Sequence, residues 1–506
     1  MLPPRSPRAP APAPRLLPAT LLALLSAAPL AAPLAAQGPA RPAPPALPAD
    51  TAAAAAPNAS PGAAPTVVPN DAPNAAPAPA AAAPALPVTF FGELRSRSEV
   101  DRPGGPAAAD AYSFLRTRLG ARIDAGPGVA IVLQLQDSRV LGAEGNTTAT
   151  APDAFDLHQG YAELTGPWRG VRGTVRAGRQ EVVFGNERLV GAAAWTNTGR
   201  AFDGLRVALA PRRARAGAEA WTATAFAATV EERGRHFGAA PSAATTGAAA
   251  TTGAAGAAAH DHAVAGLFAT RALGPAALEA TALYDAGGQY RSYDRANRAT
   301  FDARLRVPAL RVAGRFGVRA ELEGAVQTGR QRYTAAAAPR AQRVRAWLLG
   351  ARLGTPATPG GRASAGVGAD VLSGDRDATD GTYGAFNTLY ATNHPFYGLM
   401  DLFLDPAART GERGLVDALA TAALPATRAV GLRGELHRFA AFTAAAGGQR
   451  ALGWEGDLVA PVAVAPHAGV DLGYSAFRAG PGAAAVGLGA EGRVRHWVYV
   501  QLRVAR

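Results

Sequence analysis

From Val88 to Arg506 the chain repeats one pattern: short segments in which polar and apolar side chains alternate with a period of two. That period places the two sets on opposite faces of a β-strand. In Leu310 to Gly329, read as one strand, Arg311, Arg315, Arg319, Glu321, Glu323 and Gln327 share one parity. Val312, Phe316, Val318, Ala320, Leu322 and Val326 share the other. The same split separates Glu93, Arg95, Arg97 and Glu99 from their neighbours, and Arg116, Arg118 and Arg122 from Leu115, Leu119 and Ile123. Arg172, Thr174 and Arg176 oppose Val171 and Val175, and Arg495, Trp497, Tyr499, Gln501 and Arg503 oppose Val498, Val500, Leu502 and Val504.

Two architectures make a long series of amphipathic strands. One is a water-soluble assembly with its apolar faces packed inward. The other is a transmembrane barrel, apolar outside and polar within. The apolar face here is rich in Ala, Gly and Val, which lipid tolerates and a packed core would replace with larger residues. Charges also continue through strand interiors, where a hydrated lumen can solvate them. A closed barrel satisfies every strand edge, as lipid requires. The fold class expected is therefore all-β, a transmembrane outer-membrane β-barrel. The roughly 420 residues after position 87 suit 16–18 antiparallel strands at about 10 residues each plus loops.

The N-terminal segment agrees with an exported chain. Arg5, Arg8 and Arg15 precede an apolar run from Leu16 to Leu34 that ends in Ala35-Ala36-Gln37. This is the layout of a secretory signal peptide, assigned to residues 1–36. Residues 37–87 are almost entirely Ala and Pro and are expected to be a disordered linker, because such a composition cannot bury a core. Residues 88–506 form the barrel. No later apolar stretch reaches the ~20 residues of a spanning helix.

The chain has no cysteine, which removes disulfides, thiolate chemistry and Cys-ligated metal. Its 51 basic residues are all arginine, and the net charge of +13 favours anionic solutes over cations. No nucleic-acid module, Gly-x-Ser-x-Gly elbow or Walker lysine is present, so no enzyme activity, cofactor or metal is expected. His236, His260 and His262 fall in a Gly/Ala/Thr run read as a solvated loop, and Leu404 to Pro425 is read as a loop, either plugging the lumen or extended into solvent.

Two stretches carry dense, distinctive sequence. Gly178 to Gly204 reads as strand, polar turn, strand and includes Arg179, Arg188, Trp195, Phe202 and Asp203. Asp370 to Asp401 places Tyr383, Phe386, Tyr390, Phe396 and Tyr397 among small and polar residues, as an interface belt or as a lining for a sugar path. The pair resembles the alginate export family of bacterial outer-membrane barrels. The resemblance rests on Gly178, Arg179, Gln180, Gly185, Arg188, Leu189, Trp195, Phe202, Asp203 and Gly204, then on Ser373, Gly374, Asp375, Leu389, Tyr390, Asn393, His394, Phe396, Tyr397, Gly398 and Asp401.

The resemblance implies an 18-stranded monomeric barrel in the outer membrane that carries an anionic, alginate-like polysaccharide past an arginine-rich constriction. Expected path residues are Arg116, Arg118, Arg172, Arg176, Arg179, Arg188, Trp195, Asp203, Asn393, His394, Tyr397 and Asp401. Expected partners are the anionic polysaccharide or small anions, outer-membrane lipid, the barrel-insertion machinery and periplasmic polysaccharide-export proteins. A general anion-selective porin for small solutes shares the same arginines and stands as the alternative.

Overall fold

A computed structural model describes residues 86–104, 108–141, 155–212, 220–231, 262–290, 293–312, 316–333, 340–355, 363–427, 429–444 and 448–506. The expected signal peptide and nearly all of the expected linker lie outside these residues, as do His236 and His260. The strands are β1 (Val88–Arg102), β2 (Asp110–Gly126), β3 (Val129–Leu141), β4 (Phe155–Trp168), β5 (Val171–Gln180) and β6 (Phe202–Pro211). They continue as β7 (Trp221–Glu231), β8 (His262–Leu273), β9 (Ala276–Tyr290), β10 (Tyr293–Val312), β11 (Phe316–Tyr333), β12 (Arg340–Gly354) and β13 (Ser364–Leu372). The last are β14 (Thr382–Tyr383), β15 (Leu415–Pro425), β16 (Gly431–Ala441), β17 (Ala451–Ala465), β18 (Ala468–Ala479) and β19 (Val494–Ala505).

Each long strand pairs antiparallel with its neighbours, and β1 pairs with β19, so the sheet closes on itself. Of the 19 strands in the sheet, β14 is a two-residue piece lying parallel on β12. The other eighteen form a closed antiparallel barrel. No described helix is long and apolar enough to cross a membrane.

The alternation has the sign that lipid demands. On β3, Ile131, Leu133 and Leu135 are 41–45% exposed, whereas Gln134 and Gln136 on the other face are buried. The same inversion runs round the barrel, with Leu119, Leu267, Leu322, Leu349 and Val367 all exposed. Such a surface would be insoluble in water and matches the apolar band of a membrane barrel.

Connections differ sharply at the two ends. At the end where β1 begins and β19 finishes, β4 and β5 are joined by Arg169-Gly170, whose positive φ values of 45° and 85° suit a two-residue hairpin. At the opposite end lie longer connections, among which 181–201 and 373–414 are described. Short turns mark the periplasmic end of such barrels and long loops the outer end.

These two described connections fold into the lumen. Val190 and Tyr390 form a parallel bridge, the Gly191 N–H donates to the Tyr390 carbonyl, and Thr392 N–H donates to the Glu187 carbonyl, both at 2.9 Å. Around this join, Val182, Phe184, Leu189, Phe386, Tyr397 and Phe403 pack against inward residues of the wall such as Phe226, Leu348 and Phe439. The hydrophobic core of the protein therefore lies inside the barrel, between inserted loops and wall.

Several local expectations change. Glu181 to Phe184 is not strand; β5 ends at Gln180 because the chain there turns into the lumen. Leu310 to Gly329 is two strands, separated at residues 313–315. Only the first part of Leu404 to Pro425 is loop, with one helical turn at Pro406–Arg409; Leu415–Pro425 is β15. His262 opens β8 and does not belong to a loop. Tyr383, Phe386, Tyr390 and Tyr397 are all buried inside, so they make no interface belt.

Candidate substrate path

Alternate residues of β1 and β2 bring Arg95, Arg97, Arg116 and Arg118 to the inner face, at the level of the inserted loops. All four are buried. Their donors are spent on the backbone of the 194–198 segment. Arg95 donates to the Ala194 and Thr196 carbonyls at 2.7 Å each, and Arg97 donates to the Trp195 carbonyl at 2.8 Å. Arg116 reaches Ala194 and Thr196 at 3.1 and 3.0 Å, and Arg118 reaches Thr198 at 3.2 Å. An irregular segment inside a barrel has carbonyls with no ladder partner, and five-donor guanidinium groups supply the missing bonds. Carboxylates balance the charge: Glu99 beside Arg97 at 2.6 Å, Glu93 beside Arg116 at 2.5 Å and Glu181 beside Arg118 at 3.3 Å.

Arg188 is the corresponding clamp on the other side of the lumen. It donates to Asp370 at 2.9 and 3.2 Å, to Tyr397 Oη at 2.9 Å and to Glu323 at 3.4 Å, with the Phe396 ring 3.9 Å away. Burial opposes the charge on its guanidinium. Asp370, Tyr397 and Glu323 more than offset burial, so its pKa stands well above the ordinary arginine value. Arg188 thus ties one inserted segment to β11, β13 and the other inserted segment. Asn393 is also structural, donating to Thr388 Oγ1 at 2.7 Å and to the Leu404 carbonyl at 2.8 Å.

Trp195, His394 and Asp401 come together with Arg97. The Trp195 and His394 rings stack at 3.9 Å, Arg97 lies 3.8 Å from the Trp195 ring, and His394 Nδ1 is 2.8 Å from Asp401. Arg97, Trp195 and Asp401 border a cavity of about 290 Å³ that Glu99, Tyr112 and Trp497 also line.

Nearer the periplasmic end several pairs, though not Arg122–Asp124 or Arg304–Glu321, reverse the exposure of the charges. Arg122 is 38% exposed while its partner Glu163 is 10% exposed. Arg306 is 47% exposed against 6% for Glu279, and Arg503 is 55% exposed against 11% for Glu93. Arg176 and Arg352 follow the same rule with Glu163 and Asp370. Arg172 shares the face of Arg176, is exposed, and makes no ion pair among the described residues. In each of these pairs the carboxylate is sunk into the wall and the guanidinium faces the water of the lumen.

Arg179 and Asp203 lie elsewhere. They are direct register partners, 2.8 Å apart, on the parity of Leu205, which is 48% exposed. That parity is the outer face of the barrel, near its outer rim, so the pair is not in the lumen. Arg95, Arg97, Arg122, Arg298, Arg304, Arg306, Arg352, Arg495 and Arg503 also face inward. They carry the same period-two signal as Arg116 and Arg176, and parity alone identifies them.

A model of the alginate export family matches residues 87–237 and 258–403. No curated protein matches the chain. Among solved structures, it is similar to Pseudomonas aeruginosa OccK8 (OprE), with 11% identity and a TM-score of 0.51 over 83% of this chain and 98% of that one. It is also similar to Acinetobacter baumannii OccAB2, with 10% identity and a TM-score of 0.50 over 82% of this chain and 98% of that one. Acinetobacter baumannii OccAB4 gives 7% identity and a TM-score of 0.50 over the same shares. At these identities the likeness is one of fold.

Proposed function

This chain belongs to the alginate export family, and from that premise we propose that it gives passive passage across the outer membrane to an anionic, uronate-rich polysaccharide entering from the periplasm. The observation that carries the reading is the exposure difference within the ion pairs of the periplasmic half. Arg122, Arg306 and Arg503 face the water while Glu163, Glu279 and Glu93 are withdrawn. A polyanion arriving there meets guanidinium groups first. Each can take a carboxylate through two parallel hydrogen bonds, and each exposed contact is worth only about 0–1 kcal/mol. Many weak contacts let a polymer enter and still advance, as conduction requires.

Arg172 and Arg176 belong to this entry surface. Arg116, Arg118 and Arg188 serve it indirectly, by holding the inserted segments that narrow the lumen. Trp195, His394, Asp401 and Tyr397 belong to the constriction, where the Trp195 cavity offers an aromatic face and polar edges of the kind a sugar ring uses. Asn393 fixes the same constriction. Arg179 and Asp203 take no part in the path. The reading is one of passage and assigns no catalytic group.

Single-channel recording in a planar bilayer tests it. Polyuronate added to the periplasmic side should interrupt the current at lower concentration than polymer added to the outer side. Equal, negligible effects from both sides, with selective phosphate current, would favour a general small-anion porin.

A further inference from the structure

The lipid-facing surface of β16, β17, β18, β19 and β1 carries an unneutralised basic and aromatic patch at its outer rim. Arg438, Trp454 and Arg478 lie side by side across three strands in direct register. On the next two strands His496 and Arg102 are also direct partners, and Tyr474 Oη lies 2.9 Å from His496 Nδ1. The same face carries Leu436, Leu458 and Leu472, each 45–48% exposed, so it is the face that meets lipid. Arg102, Arg438 and Arg478 are exposed.

No ion pair among the described residues reaches these three arginines. The reason is positional. The carboxylates of the five strands are Glu435, Glu455, Asp457, Asp471, Glu93, Glu99 and Asp101, all on the lumen parity. The adjoining described loops add Arg450 and Arg493 and one carboxylate, Glu491, which pairs with none of the patch residues. The periplasmic ends of the same outward face carry only uncharged residues, including Phe90, Val462, Val470, Leu502 and Val504.

An arginine on the lipid face is costly at the membrane midplane and nearly free near the interface. The outer rim is therefore where such residues can be kept. Placing them there without a carboxylate leaves the counter-charge to the surroundings. Arg438 and Arg478 flank the Trp454 ring two strands apart, roughly 10 Å at the usual strand spacing. Guanidinium groups take phosphate through paired hydrogen bonds, and the exposed indole and phenol suit a sugar or acyl boundary.

We propose that this patch docks the phosphate groups of a phosphorylated glycolipid in the outer leaflet, with Arg438 and Arg478 as its two anion contacts and Trp454 packed against the glycan or upper acyl chain. The site is independent of whatever passes through the lumen.

The test uses the full-length folded protein in neutral detergent, titrated by native mass spectrometry with a bis-phosphorylated diglucosamine lipid. Wild type should bind it at least tenfold more tightly than the Arg438→Gln/Arg478→Gln variant, and tenfold more tightly than the dephosphorylated lipid. Arg271→Gln, an outward-facing change at the periplasmic end of β8, should bind like wild type. Heat-modifiable gel mobility reports folding; if the double variant fails it, Arg478→Gln alone is read the same way, with a smaller expected loss. Equal binding by variant and wild type, or by both lipids, overturns the proposal. Displacement of the lipid by millimolar inorganic phosphate overturns the lipid as the occupant and leaves a free-anion site.

Discussion

At the level of the inserted loops Arg97 and Arg116 expose only 3% of their side chains, while towards the periplasm Arg306 and Arg503 expose 47% and 55%. The residue type, the parity and the strand architecture are shared; what differs is what lies across the lumen. Where 181–201 and 373–414 fold inward, their carbonyls and carboxylates take up guanidinium donors and exclude water. Where no described segment folds inward, water takes that place and the guanidinium stays available. Arginine thus serves as mortar in one region and as a contact surface in the other. An inventory of lumen arginines would merge these two uses.

The largest effect that separates the regions is expected from Arg188→Ala. It leaves Glu323 without its guanidinium partner and Asp370 with Arg352 alone. Removing one member of a buried pair costs about 3–5 kcal/mol. Thermal unfolding should shift down markedly, and surviving channels should show raised, noisier conductance as the inserted segments detach. Unchanged conductance and unfolding would mean that the constriction does not depend on this clamp.

Next comes Arg122→Gln/Arg306→Gln/Arg503→Gln. Glu163, Glu279 and Glu93 keep Arg176, Arg304 and Arg116 as partners, so folding should change little while ion selectivity changes strongly. Trp195→Ala removes a ring stack worth about 0.5–1.5 kcal/mol and a cation–π contact of similar size. It should shorten polyuronate dwell times several-fold without altering small-ion selectivity, read from blockade durations. The smallest effect is expected from Arg179→Ala. Its partner Asp203 lies on the outer face, so conductance and selectivity should match wild type; a selectivity change would move the pair into the lumen.

The barrel and its inside-out polarity were legible in the sequence because period two reports a face directly. Arg116, Arg118 and Arg176 could be assigned inward on that basis. Arg179 is instructive: it shares its parity with Val171 and Val175, so the alternation put it outward while the family resemblance put it in the path. The alternation was the better guide. What could not be read was the inward fold of 181–201 and 373–414. Arg188 meets Asp370 across 182 residues of sequence, and no local pattern encodes that contact. For the same reason the burial of Tyr397, and the capture of the 194–198 carbonyls by β1 and β2, emerged only with the structure. β15 was misread because its outward residues are mostly alanine, which blurs the contrast between faces.

The claim on which the rest depends is that solute meets arginine at the periplasmic end. Reversal potential across a bilayer under a potassium chloride gradient tests it most directly, comparing wild type with Arg122→Gln/Arg306→Gln/Arg503→Gln. Wild type should be anion-selective, and the variant should move towards no preference or a preference for potassium. Identical reversal potentials for the two would contradict it.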